Sequence, residues 1–221
     1  MLTWMFKGGP LMWLILFNGL LAVATFLERW FHYHRAQIDT VDFVNGICNS
    51  LKRGNIIEAI ANCDETAGPV AQVVKAAVVN HDRSREEIRD AVQDVARTEV
   101  AHLERRLVVL ATIAQVTPLI GFLGTVLGMI QMFKVIQVQQ LAGAGQLAGG
   151  VWEALITAAA GLIVAIPAYV AYNYLVSRVQ NLVFDMEKAA NEIVGFVIRH
   201  GGSASIEEPI VLATKQQRSG V

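Results

Sequence analysis

Three stretches of this chain lack the polar positions a soluble helix needs. Residues 11–27 and 107–133 contain no Asp, Glu, Lys or Arg, and residues 135–177 contain one, Glu153. A helix needs about 20 mostly apolar residues to cross the hydrocarbon of a bilayer. Spanning helices are therefore predicted over 9–28, 107–133 and 148–174. They leave an N-terminal segment 1–8, a long loop 29–106, a link 134–147 and a C-terminal region from 175.

The long loop has helical patterning of its own. Residues 41–62 and 69–80 carry apolar side chains at helical spacing, and His81-Asp82-Arg83 interrupts them. Ser84-Arg85-Glu86-Glu87 then matches a capping box, in which a Ser oxygen and a Glu carboxylate satisfy first-turn amides. Ile88, Val92, Val95, Val100, Leu103 and Leu107 continue as one stripe. No Gly or Pro intervenes before Pro118, so one helix of about 70 Å is predicted from about 85 to 133. The third span extends likewise through Val179, Leu182, Met186, Ile193 and Val197. Gly201-Gly202 is expected to end that helix at 200, leaving a flexible tail over 201–221.

Composition sharpens the membrane reading. The chain is 54% hydrophobic and 17% charged, with a net charge of -1. That balance leaves no basic footprint for nucleic acid. A cleavable signal peptide is the other reading of the first span, with Ala22-Val23-Ala24 as a small-residue site. The basic residues Arg29 and Arg35 follow that run, whereas a signal peptide has them before it. Lys and Arg also set the orientation, because positive charge stays in the cytoplasm. Eleven lie in 29–106, one (Lys134) in the link, and five after the third span. The expected protein is all-α and integral to the membrane. Its N-terminus and link are periplasmic, its loop and C-terminus are cytoplasmic, and its second and third helices extend far into the cytoplasm. Cys48 and Cys63 then fall in a reducing compartment. His32 and His34 read either as a metal pair or, with Trp30, Phe31 and Tyr33, as an interfacial aromatic cluster.

Candidate chemistry is confined to the spans. Thr117, Gly121, Gly124, Thr125 and Gly128 share one helix face, and small residues let helices approach closely. This face reads as a packing seam. A second reading is that Thr117 and Thr125 also offer hydroxyls to an interior pathway, although a Thr can satisfy itself on its own helix backbone. In the third span Glu153, Thr157 and Gly161 share a face. An acid at the bilayer centre costs at least about 2.5 kcal/mol on insertion scales. Facing a polar interior or accepting a proton lowers that cost, because removal from water favours the neutral form. Glu153 therefore reads as a proton relay, or as a residue solvated among the outer headgroups. Pro118 and Pro167 are consistent with a shaped interior. A single acid makes no directed path, so the chain implies company: copies of itself, a different subunit, or both. No Ser/His/Asp, metal or phosphate-loop constellation points to an enzyme, and no cofactor is expected.

Two blocks, TPLIGFLGTVLGMI at 117–130 and EALITAAAGLIVAIPAYVAYN at 153–173, carry a resemblance. With the start GGPLMWLILFNGLLAVATFLER at 8–29, they resemble the ExbB/TolQ/MotA proton-channel family, its ExbB-like branch in particular. A MotA-type chain would have a fourth span and lack this acid. The resemblance implies a cytoplasmic-membrane subunit that forms a homopentameric ring around single helices of an ExbD- or TolR-like partner. Proton flow would drive rotation of partner against ring, and the work would pass to TonB or TolA. It implies proton-pathway roles for Glu153 and Thr125. Family members usually carry a Thr five residues after the Glu. Here that position is Ala158 and the hydroxyl stands at Thr157, rotated by about 100° around the helix. A TolQ-like role in envelope integrity and a passive structural oligomer are the alternatives.

Overall fold

In the computed structural model, which describes residues 9–36, 38–139 and 144–218, seven helices follow one another: α1 Gly9–Ala36, α2 Thr40–Lys52, α3 Ile56–Glu65, α4 Pro69–Val79, α5 Arg85–Glu104, α6 Leu107–Gln139 and α7 Ala144–Arg218. The N-terminal segment 1–8 and the middle of the predicted link, 140–143, lie outside the described residues. Among the described residues three helical stretches are long and apolar enough to cross a membrane: Pro10–Ala36, Arg85–Gln137 and Ala148–Arg199. The fold is all-helical, as the patterning predicts.

The chain divides into two compact units. The first comprises Met1–Phe31 and Glu104–Ser177, and so holds most of α1 and α6 and the first half of α7. Its outward side chains are large and apolar: Leu119, Phe122, Ile163 and Ile166 are each more than 60% exposed. An exposed apolar surface of this extent calls for lipid or protein to cover it. Inside, Ile15, Leu110, Thr117 and Leu175 are fully buried. Glu28 receives ion pairs from Arg106 and, at 3.5 Å, from its neighbour Arg29, which is itself buried.

The second unit, His32–Leu103 and Arg178–Val221, has a conventional core. Val44, Ile47, Cys63, Val70, Val74, Ile88, Met186 and Ile193 form one buried cluster. Each fully buried aliphatic side chain contributes about 1.5–3 kcal/mol of burial free energy. Tyr33 is buried and donates its hydroxyl to the Leu103 carbonyl at 2.7 Å. Gly68, at φ 134°, is the left-handed point from which α4 departs, and a Cβ there would meet the Ala36 carbonyl at 2.9 Å. Both cysteines are buried and free. Desolvation raises the Cys63 thiol to about 11, with Asp64 adding to the shift and Lys75 opposing it.

Several predicted boundaries change. The stretch 41–62 is two helices, separated at Gly54 (φ 74°). Asn55 caps the second by accepting from the Glu58 amide at 3.3 Å. The Gly-Asn pair followed by Glu three residues on is a legible stop and start. The single helix predicted over 85–133 is broken at Arg105-Arg106 and runs on to Gln139. No Gly or Pro marks that turn. It falls where Arg106 reaches Glu28, a long-range contact that no local pattern carries. Gly201-Gly202 does not end the last helix, whose backbone remains helical to Arg218 through part of the predicted flexible tail. Glycine lowers helix propensity by about 1 kcal/mol but does not forbid the conformation. The capping box forms as predicted: the Ser84 hydroxyl oxygen accepts from the Glu87 amide at 3.3 Å, and the Glu87 carboxylate accepts from the Ser84 amide at 3.0 Å.

The His32 ring lies 6.0 Å from Tyr33 between centroids, and Trp30 packs 5.2 Å from Phe31. Among the described residues no group of three or more His, Cys, Asp or Glu is placed to hold a metal ion.

Candidate functional site

The small-residue faces of α6 and α7 meet each other within one chain. A Cβ built on Gly128 would fall 2.8 Å from the Ala154 Cβ and 3.3 Å from the Gly150 carbonyl. One on Gly124 would fall 2.9 Å from the Thr157 Cβ. One on Gly121 would fall 3.2 Å from the Thr157 carbonyl and 3.3 Å from the Ala158 Cα. One on Gly161 would stand 3.0 Å from both the Thr117 carbonyl and the Gly121 Cα. Descending numbers on α6 meet ascending numbers on α7, so the helices are antiparallel. Glycines facing small residues permit this approach.

The seam collects most of the predicted site. Thr117, Gly121, Gly124 and Gly128 from α6 are buried, as are Thr157 and Gly161 from α7. Thr125 and Glu153 are only partly buried, at the margins of this face. The sequence places Thr125 with the others on one broad face, but the helix contact takes only the narrower strip of positions 117, 121, 124 and 128. Glu153 precedes Ala154, the residue against Gly128, and so stands beside the seam. Ala154, Gly150 and Ala158 complete the α7 side. Sequence reasoning singled out Ala158 only as the position of the usual family threonine and passed over Ala154 and Gly150, because small apolar residues carry no chemical signal alone.

The hydroxyls differ in how they are satisfied. Thr157 donates to the Glu153 backbone carbonyl at 3.0 Å, and Thr125 to the Phe122 carbonyl at 2.6 Å. Both follow the self-satisfied pattern of helix threonines. The Thr117 Oγ1 is fully buried and has no hydrogen-bond partner among the described residues. The Glu153 carboxylate likewise has no ion pair among them; Lys134, the one basic residue of the link, makes none with it.

A model of the MotA/TolQ/ExbB proton channel family matches residues 65–188, more than half of the chain and the whole of this seam. The chain belongs to that family. Its relatives include the biopolymer transport protein ExbB homolog of Methanothermobacter thermautotrophicus, 31% identical over 183 residues, which are 82% of this chain and 64% of that protein. An ExbB-like biopolymer transport protein of Synechocystis is 33% identical over 151 residues, 67% of this chain and 71% of its own. The Tol-Pal system protein TolQ of Haemophilus influenzae is 40% identical over 101 residues, 46% of this chain and 44% of that protein. The matched part of the archaeal relative is thus under two thirds of its length. Family membership and the three long apolar helices make this a multi-pass membrane protein of the ExbB/TolQ proton-channel family. Both ExbB and TolQ names occur among the relatives, so the family is fixed and the branch is not.

Proposed function

We propose that this chain is the proton-channel subunit of an energy-transducing motor in the bacterial inner membrane, with a periplasmic N-terminus and a cytoplasmic C-terminus. It assembles as a homopentameric ring around an ExbD-like single-span partner and couples the proton-motive force to a TonB-like protein and TonB-dependent outer-membrane transport. Glu153 is the residue where the proton stops, with Thr125 and Thr157 as neighbouring hydroxyls and the glycine seam as the frame that holds them. One observation carries the reading: the lone acid of the three apolar runs 11–27, 107–133 and 135–177 is half-buried at the margin of a buried seam, with no cation paired to it among the described residues. An intramembrane acid in that setting is retained for function rather than stability. Ala158 occupies the usual family threonine position, and Thr157 takes over its hydroxyl role.

The experiment is Glu153→Gln beside Glu153→Ala, in cells where this chain is the sole copy. Gln keeps the size and hydrogen-bonding capacity but cannot gain or lose a proton. Oligomers and partner binding should survive in the Gln variant while gradient-dependent function is abolished. An active Gln variant together with an unassembled Ala variant would make Glu153 an assembly residue and the chain a passive structural oligomer.

The second reading is a TolQ-like subunit acting through TolR- and TolA-like proteins in envelope integrity, favoured by the 40% identity to a TolQ. Loss of the gene separates the two: failed uptake of TonB-dependent substrates marks the first, and detergent sensitivity with outer-membrane blebbing marks the second.

A further inference from the structure

Thr117 differs from Thr98, Thr112, Thr125 and Thr157. Thr98 donates to the Asp94 carbonyl, Thr112 to Val108, Thr125 to Phe122 and Thr157 to Glu153, all within their own helix. Thr117 is fully buried and its Oγ1 has no partner among the described residues. The next residue is Pro118, inside α6. Proline has no N–H, so the Ala114 carbonyl loses its α-helical donor. Ala114 is itself buried. An unsatisfied hydroxyl and a freed carbonyl thus lie within one turn of each other, in the interior of the first unit. Buried polar groups of this kind are met by ordered water, and freed carbonyls in membrane helices are met by water or by hydroxyls.

Thr117 also lies in line with the acid. Gly121 stands between it and Thr157, touching the Thr157 carbonyl region on one side and Gly161 on the other. Gly161 faces Thr117 and Gly121 while Thr157 faces Gly121 and Gly124, so Thr117 and Thr157 are between one and two helical turns apart along the seam, roughly 8–10 Å. Glu153 is a further turn beyond Thr157.

We propose that Thr117 is a further proton-path residue, holding one water molecule with the Ala114 carbonyl and meeting a second on its Thr157 side, and so carrying the path from Glu153 past Thr157 toward the start of α6. This rests on the proton-channel reading. Its hydroxyl oxygen accepts a proton from water on one side as its own O–H proton leaves to water on the other, so the hydroxyl is regenerated at each passage. No bond other than O–H is made or broken.

The test compares Thr117→Val, Thr117→Ser and Thr112→Val in the full chain in its host membrane, with Glu153→Gln alongside. Val matches Thr in shape and removes only the hydroxyl. Thr117→Val should assemble normally and lose gradient-driven activity by about a hundredfold or more, the scale on which a positioned proton-transfer group acts. Thr117→Ser should restore activity, and Thr112→Val, whose hydroxyl serves only its own helix, should be silent. An active Thr117→Val, more thermostable than the wild type because a buried unsatisfied hydroxyl is gone, would overturn the proposal. With Glu153→Gln inactive, that outcome leaves the channel reading standing; an active Glu153→Gln removes the channel reading itself. Water-edited solid-state NMR on the wild-type chain in bilayers provides a readout independent of the variants. Rapid magnetisation transfer from water to the Thr117 side chain is expected, and a Thr117 as dry as Leu110 would overturn the water site.

Discussion

A Cβ atom on Gly124 would stand 2.9 Å from the Cβ of Thr157 and closer still to its Cγ2. Thr157 is β-branched and stiff at χ1, so it has little room to turn away. Overpacking of this kind costs about 1–3 kcal/mol. Gly124→Ala should lower the thermal midpoint of the purified protein. Thr157→Ser, which removes the Cγ2, should recover part of the loss in the double variant. The face is shared by two helices of one chain, so the damage should appear in the stability of the protomer before it appears in oligomer assembly. An unchanged midpoint for Gly124→Ala would mean the seam is looser than the geometry states.

The orientation is open to cysteine labelling. A Cβ at Gly145, in the first turn of α7, has no atom within 4 Å, and neither has one at Gly46 in α2. Both positions are exposed, so accessibility alone does not separate them. In intact cells Gly145→Cys should react with an impermeant maleimide and Gly46→Cys should react only after lysis. The buried native thiols, raised by desolvation, should contribute little background. The reverse pattern would invert the topology.

The start of α5 should be sensitive to acid. The Ser84 amide and hydroxyl both donate to the Glu87 carboxylate, the amide bond being the larger cause, and hold that carboxyl below its usual range. A carboxyl lowered in the folded state contributes stability above its unfolded value and loses it as pH falls through the folded one. Hydrogen-exchange protection in the first turn of α5, corrected for intrinsic rates, should therefore fall with pH across the acid range. Glu87→Gln, which accepts the same bonds but does not titrate, should flatten that dependence. Equal pH dependence in the variant would assign the effect to another group.

The sequence by itself determined the elements. Long charge-free runs can be satisfied only by helices in lipid, so the three spans follow from composition and length. The capping box at Ser84 and the seam positions 117, 121, 124 and 128 follow from local spacing. Glu153 is conspicuous because a carboxylate is costly in that setting. The tertiary structure decided what those faces touch. A face of small residues looks the same whether its partner is another subunit or the next helix of the same chain. Only the antiparallel contact of α6 with α7 shows that the glycines are used within the protomer, and that Thr125 and Glu153 are left at the margin. At the turn Arg105-Arg106, Arg106 pairs with Glu28, far away in sequence, a contact with no local signature. The contrast between Thr117 and the self-satisfied threonines is likewise invisible in the sequence, since the same residue type can close its hydrogen bond on its own backbone or leave it open, and only rotamer and packing decide which.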